Sequence, residues 1–527
     1  MQVLVYLAEH AGRAVSRREL EAHIWTGRIV TEDAVTNTIL KLRRAFGDDA
    51  RNARVIETIP KTGYRLIAEV TPAAESHRET RAAAITSAPK RGKGLRLPLI
   101  LAGGMSLILC LLWWVWYQPG GGRPTAEPAR DSPDRPALAI LPFRNLGAAP
   151  QQDYFANGIT ADLITDLSKV SGLLVIAPGS VFAYKDSDAG PRQISAELDV
   201  DYVVVGSVQR SGELLRINVQ LIEAKQEQAL WGERYEGIMG DIFSVQDRLT
   251  AAVISALKVE LEPREREFLA RRPTASVAAY DHYLRGLEAH GHRSRDQNLL
   301  AKEHFLRAIE LDPQVARAYT GLALTHSRDA IDGWTETPSQ SLERAAELAQ
   351  QAVRMNPSLP QVHFVSGQVD LFRHRHEQAI EATRRAIRVD PNYADAYALS
   401  AWVLNYVGRP HEALAAMERA MRLNPRPTAS YLEVLGEIRF AQGRYNESVS
   451  VFESVLDINP NYTRARMWIA AALAHAGAGE RAEWETIELM VLNPNVSLSR
   501  LGFAFPFKDE RVLESLLEGL KKAGLPE

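Results

Sequence analysis

One cysteine, Cys110, serves all 527 residues. No intrachain disulfide can form, so no part of the chain is a disulfide-stapled scaffold. Net charge is almost absent as well, at −3, which excludes a uniformly basic or acidic polyelectrolyte. Low-complexity composition is missing: 46% of residues are hydrophobic and 24% charged, as in ordinary folded domains. The chain is still too long for one core, and roughly three or four domains are expected. The small net charge hides a division. Residues 1–96 hold 17 Lys/Arg against 11 Asp/Glu, and the remainder holds 45 against 54. A basic head on an acidic body points to a polyanion met by the head alone.

Charge vanishes altogether from "LPLILAGGMSLILCLLWWVWY", residues 97–117. At about 1.5 Å rise per residue such a run crosses about 30 Å of hydrocarbon. Arg91, Lys93 and Arg96 flank one end, and Trp113, Trp114, Trp116 and Tyr117 crowd the other. This pattern predicts one transmembrane helix, with residues 1–96 cytoplasmic and 118–527 on the far side, and a lipid bilayer as partner. A buried core helix of that length would carry a polar face. A cleaved signal peptide would not begin near residue 97.

The head carries "SRRELEAHIW", in which Ser16 can cap a helix while Glu19 reaches back to it. Thr31 then caps "TEDAVTNTILKLRRAFGDD", where Val35, Ile39, Leu42 and Phe46 recur at helical spacing as one buried face. The other face shows Thr36, Asn37, Leu40, Lys41, Arg43 and Arg44, and Thr38 joins the polar and basic ones as a candidate DNA contact. Short polar side chains reach base edges, and long cations reach phosphates or guanine. "RVIETIPKTGYRLIAEV" follows, two β-rich runs around a tip that carries Lys61, with Arg65 on the return run. Two helices and a basic hairpin make a winged helix, an α+β unit. Together, "LRRAFGDD" and "VIETIPKTGYRL" make residues 1–70 resemble the OmpR/PhoB-type winged-helix domain of CadC- and ToxR-like regulators. By position, that resemblance implies DNA contacts from Thr36, Asn37, Lys41, Arg43 and Lys61. The family opens with a small β-sheet and a complete first helix, whereas Met1 falls inside that helix, implying an upstream start or a truncated domain. A winged helix used only for protein contacts is the alternative.

Residues 71–96 and 118–136 are polar, small and rich in Pro and Gly, and read as flexible tethers on either side of the apolar run. Residues 137–260 alternate strand-like and helix-like runs, from "ALAILPF" through a hairpin at Ser211-Gly212 to "DIFSVQDRLTAAVISALKVEL", which predicts an α/β sandwich. "LPFRNLG", "YFANGIT" and "LWGERYEG" resemble a TolB-like N-terminal domain. No nucleophile elbow, phosphate loop or metal-ligand spacing is found there. Asp162, Asp166, Glu233 and Asp241 read as solvated or helix-capping carboxylates.

Residues 278–527 repeat. Prolines at 313, 357, 391, 425, 460 and 494 stand 44, 34, 34, 35 and 34 residues apart. Twelve positions before each stands Ala301, Ala345, Ala379, Ala413, Ser448 or Ala482, and five before stands Ala308, Ala352, Ala386, Ala420, Val455 or Leu489. Small residues at that period are the tetratricopeptide signature, helix pairs stacked into an all-α solenoid whose concave face takes a protein or peptide. His374 and His376, two apart, read as surface histidines rather than a metal pair. The CadC/ToxR-like resemblance then implies a single-pass bacterial inner-membrane regulator, N-terminus cytoplasmic and C-terminus periplasmic. It would bind double-stranded promoter DNA, with a homodimer on adjacent half-sites and no cofactor, metal or catalysis. An envelope scaffold with a non-functional head is the runner-up, and an enzyme within 137–260 the other rival.

Overall fold

The computed structural model describes residues 2–16, 19, 20, 23, 39, 42, 43, 46, 48, 53–59, 63–68, 135–147, 152–270, 274, 276–501 and 505–527. Two compact units form, Met1–Pro128 and Ala129–Glu527.

In the first unit, α1 (Gln2–Glu9) precedes a three-stranded antiparallel sheet of β1 (Val15–Ser16), β2 (Ile56–Ile59) and β3 (Gly63–Leu66), ordered β1-β3-β2. Val3 and Leu7 share a helix face and meet Val15, Leu20, Ile39, Ile56, Tyr64 and Leu66 in one core. Ile39, Leu42, Arg43 and Phe46 are helical, as the spacing predicts. The buried face is displaced from the expected one. Ile39 is buried, but Phe46 is 46% exposed, and Arg43 is buried in its place.

The second unit opens with a mixed sheet. Its order is β6 (Leu174–Val175), β4 (Ala137–Ile140), β7 (Tyr202–Ser211), β8 (Leu214–Glu223) and β9 (Gln228–Ile238), with β5 (Arg144–Asn145) also on β7. The first strands run parallel through helical crossovers, and β7, β8 and β9 form an antiparallel meander. The β7–β8 hairpin turns where expected, with Gly212 at φ +59°. Along β8, Leu215, Ile217, Val219 and Leu221 are buried and their neighbours are not, the period of two of a half-covered sheet. Among the helices here are α2 (Asp153–Ser168), α3 (Pro178–Val181), α4 (Pro191–Leu198), α5 (Ile242–Ala256) and α6 (Pro263–Leu269), with α2 and α5 contributing much of the core.

Six helix pairs follow among the described residues. They are α7 (Val277–Gly291) with α8 (Arg295–Leu311), α9 (Ala316–Ile331) with α10 (Pro338–Met355), and α11 (Pro360–Phe372) with α12 (His376–Val389). The later ones are α13 (Ala394–Tyr406) with α14 (Pro410–Leu423), α15 (Ala429–Ala441) with α16 (Tyr445–Ile458), and α17 (Thr463–His475) with α18 (Gly479–Leu492). Every small residue read at the twelfth position before a repeat proline is fully buried. Gly436 shows why size matters: a Cβ there would lie 2.6 Å from the Phe452 ring. Two short elements end the chain, α19 (Leu498–Leu501) and α20 (Glu510–Lys522).

The expected transmembrane helix is corrected. No helix among the described residues is long and apolar enough to cross a membrane. The longest described, the 18-residue α10, buries Ala345, Leu348, Ala349 and Ala352 on one face and carries the paired Arg344 and Glu347 outside. That amphipathic pattern suits a solenoid and not a lipid-surrounded helix. Residues 97–117, where the span was expected, lie outside the described residues, as do residues 71–96 and 118–134 of the two tethers. The inner-membrane, single-pass placement, expected from that run and from the CadC/ToxR-like resemblance, is corrected with it, and nothing among the described residues supports the bilayer as a partner.

Candidate nucleic-acid interface

Of the residues expected to meet DNA, Arg43 and Arg65 are described, while Thr36, Asn37, Thr38, Lys41, Arg44 and Lys61 lie outside the described residues. Arg43 turns inward. Its Nε and Nη2 donate to Ile56 O at 3.2 and 2.7 Å, and Nη2 also donates to Thr58 Oγ1 at 2.8 Å. With 6% of its surface exposed, it fastens the helix to strand β2 of the hairpin and is not free for phosphate. Helical spacing alone could not tell this, because a long arginine at the edge of a face can turn either way.

Arg65 stands opposite Glu57 in the β2–β3 register, with Nε 3.5 Å from its carboxylate, and remains 39% exposed. It is thus within the wing and only partly turned to solvent. Tyr64 and Leu66 on either side are buried, as alternation requires.

Asp48 sets the hairpin's entry. Its carboxylate accepts the backbone N–H of Arg54, Val55 and Ile56 at 2.6, 3.1 and 2.7 Å. Burial pushes this carboxyl up, but the three N–H donors outweigh it and hold it below the ordinary range. Gly63 opens β3 at φ +149°, and a Cβ there would lie 2.0 Å from Val15 O, so the close approach of β1 demands glycine. Ser16 Oγ accepts Glu19 N–H at 3.2 Å, the first half of the expected capping box. The second half is absent: Glu19 instead accepts from Arg13 and from Tyr6 Oη, and Arg13 holds its carboxyl low.

The body holds a charged joint that sequence reasoning missed. Asp162, expected in solvent, is 7% exposed. It accepts Arg317 Nη1 from α9 at 2.5 Å and Gln246 Nε2 at 3.2 Å, with Tyr280 Oη as a third donor. Burial alone would depress the Arg317 guanidinium, but Asp162 beside it holds it above its usual value. Glu233 and Asp241 are exposed as expected. Two repeat-end residues join the same sheet domain to the solenoid. Ser168 Oγ donates to Asp390 at 2.6 Å, and Ser180 Oγ to Asn424 Oδ1 at 2.5 Å. Both acceptors directly precede a repeat proline, and that recurring Asp/Asn was the available signal. His376, expected at the surface, is 8% exposed and donates to Pro506 O at 2.7 Å, whereas His374 sits exposed in the turn before α12.

Residues 1–66 match the family described as "Transcriptional regulatory protein, C terminal". Residues 134–252 match "HilA/YgeH-like transcriptional regulator, second domain", and no comparison supports the TolB-like resemblance. Tetratricopeptide-repeat families match residues 394–427 and 439–485. A protein of Rhizobium meliloti (strain 1021) named as an adenylate cyclase is 39% identical over 255 residues, 48% of this chain and 43% of that protein. Transcriptional activator CadC of Escherichia coli (strain K12) is 39% identical over 71 residues, 13% of this chain and 14% of its own. The cholera toxin transcriptional activator of Vibrio cholerae is 34% identical over 92 residues, covering 17% and 31%. A solved tetratricopeptide protein of Thermus thermophilus covers 37% of this chain and 99% of its own, with TM-score 0.31 and 22% identity. The chain spans less than half the length of each of these curated relatives. It carries an OmpR/PhoB-type DNA-binding regulatory domain, a HilA/CadC-like regulator domain and tetratricopeptide repeats.

Proposed function

We propose that this chain is a transcriptional regulator that binds double-stranded promoter DNA through its head and receives a protein partner through its repeat-bearing body. The head carries the proposal. Within the 66 matched residues, Ile39 and Arg43 turn inward against a β-hairpin that Asp48 and Gly63 hold in shape. Helical spacing counted from those two inward residues favours base and phosphate contacts from Asn37, Lys41 and Arg44, with Thr38 at their flank, and puts Thr36 on the side of Ile39 and Arg43. Lys61, between the two strands in sequence, and Arg65 of β3 are proposed to meet the backbone. Arg43 is removed from the DNA-contacting set.

The reading involves no catalysis. The activity named for the Rhizobium meliloti relative belongs to a protein that this chain covers for 43% of its length. A homodimer on adjacent half-sites fits the head, since two winged helices double the sequence read. Mobility shift of the full chain on duplex DNA tests the proposal. Affinity should fall steeply with salt, as counterions released at several phosphates require. A chain lacking residues 1–66 should show no shift. Equal shifts with and without the head would remove it as the reader.

A further inference from the structure

The inner side of the last three repeats already holds an occupant. A terminal segment that simply continued the array would stack after α18. Instead residues 505–509 run back across earlier repeats in irregular, extended form. The N–H groups of Lys508 and Asp509 donate to Tyr406 O at 2.9 and 3.2 Å, at the end of α13. Phe507 lies with its ring centre 4.1 Å from that of Tyr406. Phe505 meets Trp468 of α17 edge-on at 5.9 Å, and the Arg464 guanidinium covers it at 4.8 Å. Arg464 is itself held by Glu433 and Glu437 of α15, at 2.5 and 3.0 Å. The first helices of three successive pairs thus form one floor beneath five residues. Helix α20 continues along α17, where Gly519 sits so close to Ala471 that a Cβ would lie 2.8 Å from its carbonyl oxygen.

We infer that α13, α15 and α17 form a groove for an extended protein segment with aromatic residues at alternate positions, and that residues 505–509, anchored by α20 behind them, fill it as an intramolecular competitor. Phe505 and Phe507 are 4% and 7% exposed, so an i, i+2 aromatic pair supplies the anchors. The fit of the resident segment is incomplete. The indole Nε1 of Trp468, a fully buried side chain, has no acceptor, and two N–H groups of the segment share the single Tyr406 carbonyl. An outside segment of the same aromatic spacing that places an acceptor over Trp468 satisfies a donor the resident one leaves orphaned. The resident segment competes at an effective concentration in the millimolar range, so the groove answers only to a partner that binds more strongly than its own tail. This deepens the proposal that the repeats receive a partner, and rests on it.

The test uses the full chain and a fluorescent peptide copying residues 502–525, followed by anisotropy. Phe505→Ala with Phe507→Ala in the chain weakens the resident competitor and leaves the groove floor intact. The peptide should bind this variant at least tenfold more tightly than the unaltered chain, and a peptide with both phenylalanines changed to alanine should bind neither. Equal binding to both chains, or none to a variant whose circular dichroism is unchanged, overturns the inference. Should the variant not fold, a protease site placed at 502–504 of the otherwise unaltered chain decides. After cleavage, exchange of 505–527 for the labelled peptide supports the groove, while no exchange or unfolding of the solenoid overturns it. The wider proposal fails separately, if a chain lacking residues 278–527 still gives a normal regulatory response.

Discussion

Arg317→Ala removes one charge from a pair almost wholly out of water. Both side chains are 11% exposed, and the Asp162 carboxylate would keep only Tyr280 Oη and Gln246 Nε2 as donors. Breaking a buried pair from one side leaves an uncompensated charge and costs about 3–5 kcal/mol. That is a large share of the ~5–15 kcal/mol that holds a typical domain together. Asp162→Leu with Arg317→Met removes both charges and should cost clearly less than the single change, what remains, about 1–3 kcal/mol, coming from the Tyr280 and Gln246 donors left without the carboxylate. Urea unfolding of the full chain reads this out. Trp231 in the sheet domain and Trp468 in the solenoid, each kept as the sole one of the chain's nine tryptophans in its own background, report on the two parts, and the two transitions should separate in Arg317→Ala as the joint between them weakens. A cost below about 1 kcal/mol for the single change, or a double change as costly as the single, would refute the electrostatic joint.

In the head, Arg43→Ala should lower the melting temperature through loss of its bonds to Ile56 and Thr58, about 1–3 kcal/mol. Asn37→Ala should leave melting unchanged and relax base preference by about 1–3 kcal/mol at one position; equal melting for both variants would contradict the division. Gly63→Ala places a methyl on Val15 O and should destabilise the hairpin by at least about 2 kcal/mol, seen as loss of DNA binding at temperatures where the native head still binds. Burial, with Arg328 adding to it, pushes His290 down to about 3 from its ordinary 6.5. The unfolded chain therefore takes up the proton first, and stability should fall between pH 6.5 and pH 3 by up to about 1.4 kcal/mol per unit. His290→Gln should flatten that limb in pH-dependent denaturation, and an unchanged slope would place the acid sensitivity elsewhere.

What the sequence disclosed follows the range of each signal. The repeat register was open because one proline and two small residues recur at nearly fixed distance, and each buried position obeys the same local rule. The Ser211-Gly212 hairpin and the wing were legible for the same reason, since a turn and its flanking strands sit within a few residues. Asp162 was not, because its donors Tyr280 and Arg317 lie 118 and 155 residues away. Phe505 and Phe507 were silent for a related reason: two aromatics in a short stretch carry no period, and their partners sit on helices fixed only by the stacked array. Arg43 was misassigned because a helical wheel fixes a direction and not the path of a long, flexible side chain. The apolar run at 97–117 was read from its length, its hydropathy and its flanking charges and aromatics, and the described helices supply no membrane-crossing counterpart.

The most direct test of the central claim is selection of duplexes from a random pool by the full chain at near-physiological salt. The account predicts enrichment of a defined sequence, and relaxation of its preference at one position in Asn37→Ala while the protein stays folded. Recovery of no common sequence, with binding that ignores both that substitution and salt, would contradict it.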